Sequence, residues 1–384
     1  MRNRLDEDYR GILGELVCNG REKEDRTGTG TLSKFGMQIK HDMSEGFPLL
    51  TTKRMPIKTI MTELKWFLKG DTNIKYLVEN GCNIWNGDAY QGFSKYVNKQ
   101  WHSGNLKEMV GNGYIIETVN TNEDYDSVGY SPLSKKEFID KIKTDNEFAK
   151  KWGELGPVYG KQWRSWTEYY VKKFNGGNPM IVERTSDQIK NLINELKSNP
   201  DSRRLMVSAW NVGELDQMTL PPCHFGFQCY VNDLSPLEIR DQAKKDGLWK
   251  DTIPEGMTLS ELQKDFKTKK LSLMWNQRSV DTFLGLPFNI ASYGLLLEIL
   301  AKTVNMVPDE LIGNLGDIHL YNNHIDQATE QISREIYDLP QLVINDEFWN
   351  PDENAFEQIE YITPDDFDVI NYKCHPRIKA PLSN

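Results

Sequence analysis

The stretch LPFNIASYGLLLEILAKTV, residues 286–304, is apolar on nearly all sides of a helical projection, and only a helix buried all round tolerates that pattern. A long helix at the centre of the fold is therefore expected from Leu286 to Val304. Upstream, Leu271 to Asn276 reads as a strand. Two further short runs rich in apolar and aromatic residues, Leu205 to Trp210 and His224 to Val231, read as strands joined by a loop carrying Pro221 and Pro222. Cys223 stands where that loop meets a strand. Ile189, Leu192, Ile193 and Leu196 fall at i, i+3, i+4 and i+7, a helix that Asn199-Pro200 stops. Helices are also expected near Asp6 to Val17, Thr59 to Leu68 and Thr72 to Glu79. Arg26-Thr27-Gly28-Thr29-Gly30-Thr31 reads as a loop, followed by a strand ending near Ile39. The class is α+β. Gln91 to Asp145 and Leu234 to Thr268 are polar, charged and weakly periodic, and read as surface insertions in a single domain spanning 1–384, a small helical subdomain in each being the alternative.

With 384 residues, 38% of them hydrophobic, the chain can bury a large core. No segment approaches the roughly 20 apolar residues of a membrane helix, and Met1 to Arg10 is charged without an apolar stretch behind it, so neither a membrane span nor export is expected. A net charge of −10 opposes general nucleic-acid binding, which needs excess Lys and Arg. The five cysteines, Cys18, Cys82, Cys223, Cys229 and Cys374, are odd in number and lack C-x-x-C spacing. That argues against a disulfide framework and a zinc site, and for a reducing cytoplasm, or the host's cytoplasm for a viral chain. His319 and His324, five residues apart, would not share a helix face, and no metal is expected.

Chemistry enters with Cys223, in Leu220-Pro221-Pro222-Cys223-His224. A thiolate is the strongest nucleophile a chain offers near neutral pH, yet a lone cysteine is more often a buried structural thiol. Arginines change the balance: Arg26 in the Gly-Thr loop, Arg203-Arg204 after Asp201-Ser202, and Arg278-Ser279 after Gln277. Guanidinium forks grip phosphate oxygens in pairs, so as a set these suit a phosphate dianion in an otherwise acidic protein.

Together the blocks Arg26 to Gly30, Phe47 to Arg54, Glu63 to Leu68, Gly70 to Ile74, Leu155 to Arg164, Asp201 to Glu214, Pro222-Cys223-His224, Gln277 to Tyr293 and Gly316 to His324 resemble the thymidylate synthase family. The resemblance implies a large mixed sheet packed with helices around the long buried helix, the sheet forming the interface of an obligate homodimer. It implies that Cys223 adds to carbon 6 of deoxyuridine monophosphate (dUMP), whose carbon 5 then captures the one-carbon unit of 5,10-methylenetetrahydrofolate. Arg26, Arg278 and Ser279 would hold the phosphate, joined by Arg203 and Arg204 of the neighbouring subunit. Asn289 would read the base, since an amide can accept from N3–H and donate to O4 of uracil. His319 and Tyr321 would bind the 3'-hydroxyl, and Glu63, Tyr159 and His224 would move protons through ordered water.

On the folate side, the resemblance assigns Trp85, Leu220, Asp281, Gly285 and Phe288 to the pterin and Lys53 to the glutamate tail; Asp281 adjoins the nucleotide as well. The chain departs from the family pattern in three places. Pro56 stands where a histidine is common, Asn86-Gly87-Asp88 replaces the usual Asp-Glu-Trp, and the tail ends in Leu382-Ser383-Asn384 instead of a small and a branched apolar residue. A polar tail over the site admits water to the one-carbon unit, which makes a dUMP hydroxymethylase the alternative to a thymidylate synthase. A regulatory dimer that binds nucleotide or RNA without turnover is the alternative of another class.

Overall fold

The computed structural model describes residues 3–25, 27–122, 125–172, 179–250, 258, 263–345 and 359–383. In chain order its helices are α1 (Arg4–Asn19), α2 (Ile57–Leu68), α3 (Lys75–Glu79), α4 (Asn86–His102), α5 (Leu106–Gly111), α6 (Lys135–Thr144), α7 (Asn146–Trp152), α8 (Tyr159–Ser165), α9 (Gln188–Ser198), α10 (Pro236–Lys245), α11 (Gly285–Thr303) and α12 (Ile325–Ser333). The strands are β1 (Arg21–Lys23), β2 (Thr31–Asp42), β3 (Ile115–Asn122), β4 (Tyr125–Pro132), β5 (Trp166–Lys172), β6 (Met180–Ser186), β7 (Met206–Ser208), β8 (His224–Asp233), β9 (Lys269–Asp281), β10 (Val307–Tyr321), β11 (Gln341–Ile344) and β12 (Phe367–Ile370).

Six strands form one mixed sheet in the order β1-β2-β10-β9-β8-β7. Only β9 and β10 run parallel; the other neighbours are antiparallel. Alternation along the strands sends Leu271, Leu273 and Trp275 of β9, with Leu311 and Leu315 of β10, to one buried face. α11 covers that face and buries apolar residues at every turn, from Leu286 through Ile290 and Leu296 to Leu300. Gly294 lets α11 come close to the segment before α2, because a Cβ there would lie 2.3 Å from Pro48 Cγ.

α1 is tied to the same core through Asp6, a buried carboxylate that accepts from Asn3 Nδ2, from the Thr51 amide and hydroxyl, and from the Thr52 hydroxyl. Four donors on one carboxylate offset its desolvation and fix the 50–53 segment below the start of α11.

Residues 91–145, read from sequence as a surface excursion, fold as most of α4, α5, the β3–β4 hairpin and α6, with α7 following directly. Together with Phe148 and Trp152 they build an aromatic cluster in which Phe93 packs on Phe138 and Trp152 with ring centroids 5.2 Å away in each case. Of 234–268, the described part contains α10, whose start carries a reciprocal cap between Ser235 and Glu238; 251–257 and 259–262 lie outside the described residues. The β5–β6 hairpin was not foreseen. The helix expected from Thr72 begins only at Lys75, because Asp71 and Asn73 side chains take the amides of Thr72, Asn73 and Lys75 in a turn.

Leu296, fully buried on α11, should be costly to truncate: Leu296→Ala is expected to lower unfolding free energy in urea by about 2–5 kcal/mol. A loss well under about 1 kcal/mol would show that α11 is not held by packing on all sides.

Candidate active site

Pro221 and Pro222 stiffen the approach to β8, and a register shift between His224 and Gly226 turns the strand's first residues out of the regular ladder. Cys223 sits there, half-buried. Its amide donates to the Tyr159 hydroxyl at 2.8 Å and its carbonyl accepts from the Arg278 amide at 2.8 Å. The Arg278 side chain braces the same loop: Nε donates to Pro222 O and Nη2 to Pro221 O, both at 2.9 Å, with the guanidinium 5.2 Å from the Trp210 ring. A cation is thereby fixed on the loop that carries the thiol, and it remains exposed on its outer side.

Behind Cys223 lies a run of polar groups in aromatic surroundings. His224 packs on Tyr159 at 4.3 Å between ring centroids and lies 2.9 Å from the Tyr293 hydroxyl through Nδ1. Burial pushes its pKa down to about 3, so the ring is neutral at working pH. Burial and the neighbouring Cys223 push the Tyr159 phenol well above its ordinary range. Glu63, on α2, accepts from Trp85 Nε1 at 2.8 Å, and burial pushes its carboxyl up to about 7 against that hydrogen bond. A carboxyl and a phenol that both keep their protons near neutrality suit proton transfer.

Asn289, at the start of the second turn of α11, donates through Nδ2 to Gln277 Oε1 at 2.8 Å, and Gln277 Nε2 donates to the Ser279 carbonyl at 3.0 Å. This clamp orients the amide and leaves Oδ1 and the second N–H to read a base edge. His319 pairs across the parallel ladder with Asp281, and its ring meets Tyr321 edge-on at 5.3 Å. Asp281 Oδ1 accepts from the Phe283 and Leu284 amides at 3.0 Å each, closing the turn into α11. Thus β8, β9, β10 and the start of α11 present Cys223, Arg278, Ser279, Asn289, Asp281 and His319 from adjoining positions.

A family model described as thymidylate synthase matches residues 7–384. Curated relatives named thymidylate synthase include one from Mycoplasma mobile, 41% identical over 377 residues, and one from Listeria monocytogenes serotype 4b (strain F2365), 41% identical over 380 residues. Another, from Mesoplasma florum, is 39% identical over 375 residues. Each alignment covers 98% of this chain and 99% of the relative. The chain belongs to the thymidylate synthase family. It is accordingly an enzyme, a one-carbon transferase of the methyltransferase kind that acts on dUMP with 5,10-methylenetetrahydrofolate as co-substrate.

Other residues singled out by the resemblance to thymidylate synthase are placed less directly. Arg26 lies outside the described residues; Asp25 beside it accepts from the amides of Thr27 and Gly30, and Gly30 O accepts from Asn322, next to Tyr321. Arg203 and Arg204 are exposed in the turn before β7. Trp85 is buried at the start of α4, while Leu220 and Phe288 are half-buried against the core.

Lys53 is turned inward: it is 6% exposed, donates to Phe283 O, lies 3.9 Å from the Phe283 ring, and has its pKa lowered by burial to about 7. The tail rests on the turn after β10, with Pro381 O 2.7 Å from His324 Nε2 and the Ser383 hydroxyl accepting from Asn323 Nδ2 at 3.1 Å; Asn384 lies outside the described residues.

Sequence reasoning gave no role to Gln277, Trp275 or Tyr293. The spacing of Tyr293 four residues after Asn289, which puts both on one helix face, is the signal that points to it.

Glu63 yields a test with a definite sign. Its folded-state pKa, about 7, lies above the unfolded value, 4.5, so its ionisation subtracts stability as pH rises through that window, by up to about 3 kcal/mol above it. Glu63→Gln carries no such cost, so its melting temperature should exceed that of the wild type by a margin that grows from pH 4.5 to 7 and then levels. A margin independent of pH would contradict the buried-carboxyl account.

Proposed function

We propose that this chain makes thymidylate by addition of the Cys223 thiolate to carbon 6 of dUMP. The observation that carries this reading is the fixed cation: Arg278 is fastened by two carbonyls of the loop that bears the cysteine, so nucleophile and phosphate-binding cation move as one unit. Arg26, Ser279 and the neighbouring subunit's Arg203 and Arg204 complete the phosphate site. Asn289, held by Gln277, takes the N3–H and O4 edge of uracil, and His319 with Tyr321 takes the 3'-hydroxyl.

Addition leaves an electron pair at carbon 5. That carbon attacks the one-carbon unit and then gives up its proton, and the electron pair left behind expels the folate nitrogen, leaving an exocyclic methylene on the base. Glu63, Tyr159 and His224, protonated or neutral for the reasons above, carry protons to and from the base without a fixed negative charge beneath the thiolate. Hydride addition to that methylene returns an electron pair to carbon 5, and restoration of the carbon 5–carbon 6 double bond expels Cys223 as thiolate.

The residues assigned to folate fit a flat heterocycle. Trp85, Leu220 and Phe288 supply apolar surface, Gly285 adds no side chain, and Asp281 spends Oδ1 on the turn while Oδ2 takes no hydrogen bond among the described residues. Methylenetetrahydrofolate supplies the one-carbon unit and then the hydride, which makes thymidylate and dihydrofolate the products. Agreement over nearly the whole chain with relatives named thymidylate synthase supports this outcome over hydroxymethyl-dUMP, and Ser383 and Pro381 are held on the turn beside Tyr321 despite the polar tail.

The proposed homodimer is supported by the sheet face turned away from α11. There the register aligns Met206, Gln228, Tyr230, Met274 and Ile312, of which Met206 and Tyr230 are exposed and the other three partly exposed in the single chain. Arg203 and Arg204 project from the same edge and find no hydrogen-bond partner for their guanidinium groups among the described residues. We further propose one domain spanning 1–384 and a cytoplasmic location, for which five cysteines with no disulfide among the described residues speak.

Protein mixed with dUMP and methylenetetrahydrofolate should give thymidylate by mass and dihydrofolate by its near-ultraviolet absorbance; hydroxymethyl-dUMP without dihydrofolate would overturn hydride transfer. Cys223→Ala and Arg203→Ala should each lose tritium release from carbon 5 of dUMP. Mixing the two inactive proteins should restore it, because a hybrid dimer holds one site with both groups intact. Failure to complement would refute the shared site.

A further inference from the structure

Tyr293 has a single hydrogen-bonding neighbour for its hydroxyl among the described residues. It is buried on α11, its hydroxyl lies 2.9 Å from His224 Nδ1, and no other described group accepts the hydroxyl proton. A buried hydroxyl keeps its proton in a hydrogen bond, and the acceptor within reach is that ring nitrogen. A nitrogen that accepts is unprotonated, so in a neutral imidazole the ring proton then sits on Nε2. Because burial already holds His224 neutral, the property left to be set is the tautomer.

The phenol is itself held. Trp275 lies almost parallel to it, with centroids 5.3 Å apart and planes 7° apart. Trp275 Nε1 lies 3.2 Å from Gln277 Oε1, the same atom that receives Asn289 Nδ2. Behind Trp275 there is room only for Gly313, where a Cβ would lie 2.4 Å from the indole ring. On the opposite side His224 rests on Tyr159, whose hydroxyl accepts from the Cys223 amide. Packed rings therefore run from β10 to the nucleophile, and the Tyr293–His224 hydrogen bond is the polar link in that run.

We propose that Tyr293 is a positioning residue whose hydroxyl donates to Nδ1 and locks His224 in the tautomer with its proton on Nε2, so that the residue next to Cys223 serves as a neutral hydrogen-bond donor. The kinetic part of this inference rests on the reading of His224 as a member of the proton relay; the tautomer does not.

The test uses the full chain with nitrogen-15 in its histidine rings, the His224 signals assigned by their loss in His224→Gln. In the wild type Nδ1 should resonate as an unprotonated and Nε2 as a protonated nitrogen, and in Tyr293→Phe, which keeps the ring and its stacking, the two should average. Tyr293→Phe should lower kcat about tenfold, the worth of one such hydrogen bond, with little change in KM for dUMP. In the His224→Gln background it should have no further effect, since the two act as a unit. A protonated Nδ1 in the wild type, or an equal fall in kcat in both backgrounds, would overturn the proposal. The tautomer is read without turnover, so a wild type that releases no tritium would refute the catalytic reading while the nitrogen signals still decide this one.

Discussion

The packing of α11 against β9 and β10 sets the position of nearly everything chemical in this molecule. Because the helix is apolar on every side, any outward shift would expose leucines worth about 1.5–3 kcal/mol each, so its first turns are held at one depth relative to the strands. Asn289 and Tyr293 ride on those turns. The strands beneath carry Gln277, Arg278 and Ser279 on β9 and His319 on β10, while β8 begins at His224, beside Cys223. A hydrophobic constraint thereby fixes a polar arrangement, and the hydrogen bonds from Asn289 to Gln277 and from Tyr293 to His224 tie helix to sheet and to site.

The second constraint is desolvation. Charge is expensive where Glu63, Tyr159 and His224 lie, and all three are shifted toward their neutral forms. A fixed charge on the loop that carries the thiol is the Arg278 guanidinium, placed toward solvent and fastened by two prolyl carbonyls. Neutral donors behind and a cation in front make an environment in which negative charge on sulfur, and then on a bound uracil, is better accommodated than in the bare interior. Lys53 obeys the same rule from below: drawn under Phe283 and lowered to about 7, it does not stand as a full charge against α11.

Legibility in the sequence followed physical strength. The run 286–304 announced a buried helix because its apolar character is unbroken, and the strands on either side of Pro221-Pro222-Cys223 were visible from their composition. The region around Gln91 to Asp145 was not, because its core is made of few, widely spaced rings: Tyr90, Phe93 and Val97 on α4 and Phe138 and Ile142 on α6 do repeat at helical intervals, but lysines and asparagines outnumber them. The β5–β6 hairpin hid for a different reason. Its Tyr169, Val171 and Ile181 are exposed, so alternation with polar residues, the usual mark of a half-buried strand, is missing. Arginines and the cysteine could be named from motif, yet the inward turn of Lys53 and the link from Tyr293 to His224 depend on distances that no spacing in the chain encodes.

The central claim is that Cys223 is the atom that joins the nucleotide. A dUMP analogue with fluorine at carbon 5 has no proton to lose there, so addition of sulfur at carbon 6 followed by capture of the one-carbon unit leaves the chain covalently attached. After incubation with that analogue and methylenetetrahydrofolate, denaturation and peptide mass mapping, the account predicts one adduct, on the peptide containing Cys223. An adduct on Cys18 or Cys374, or none at all, would contradict it.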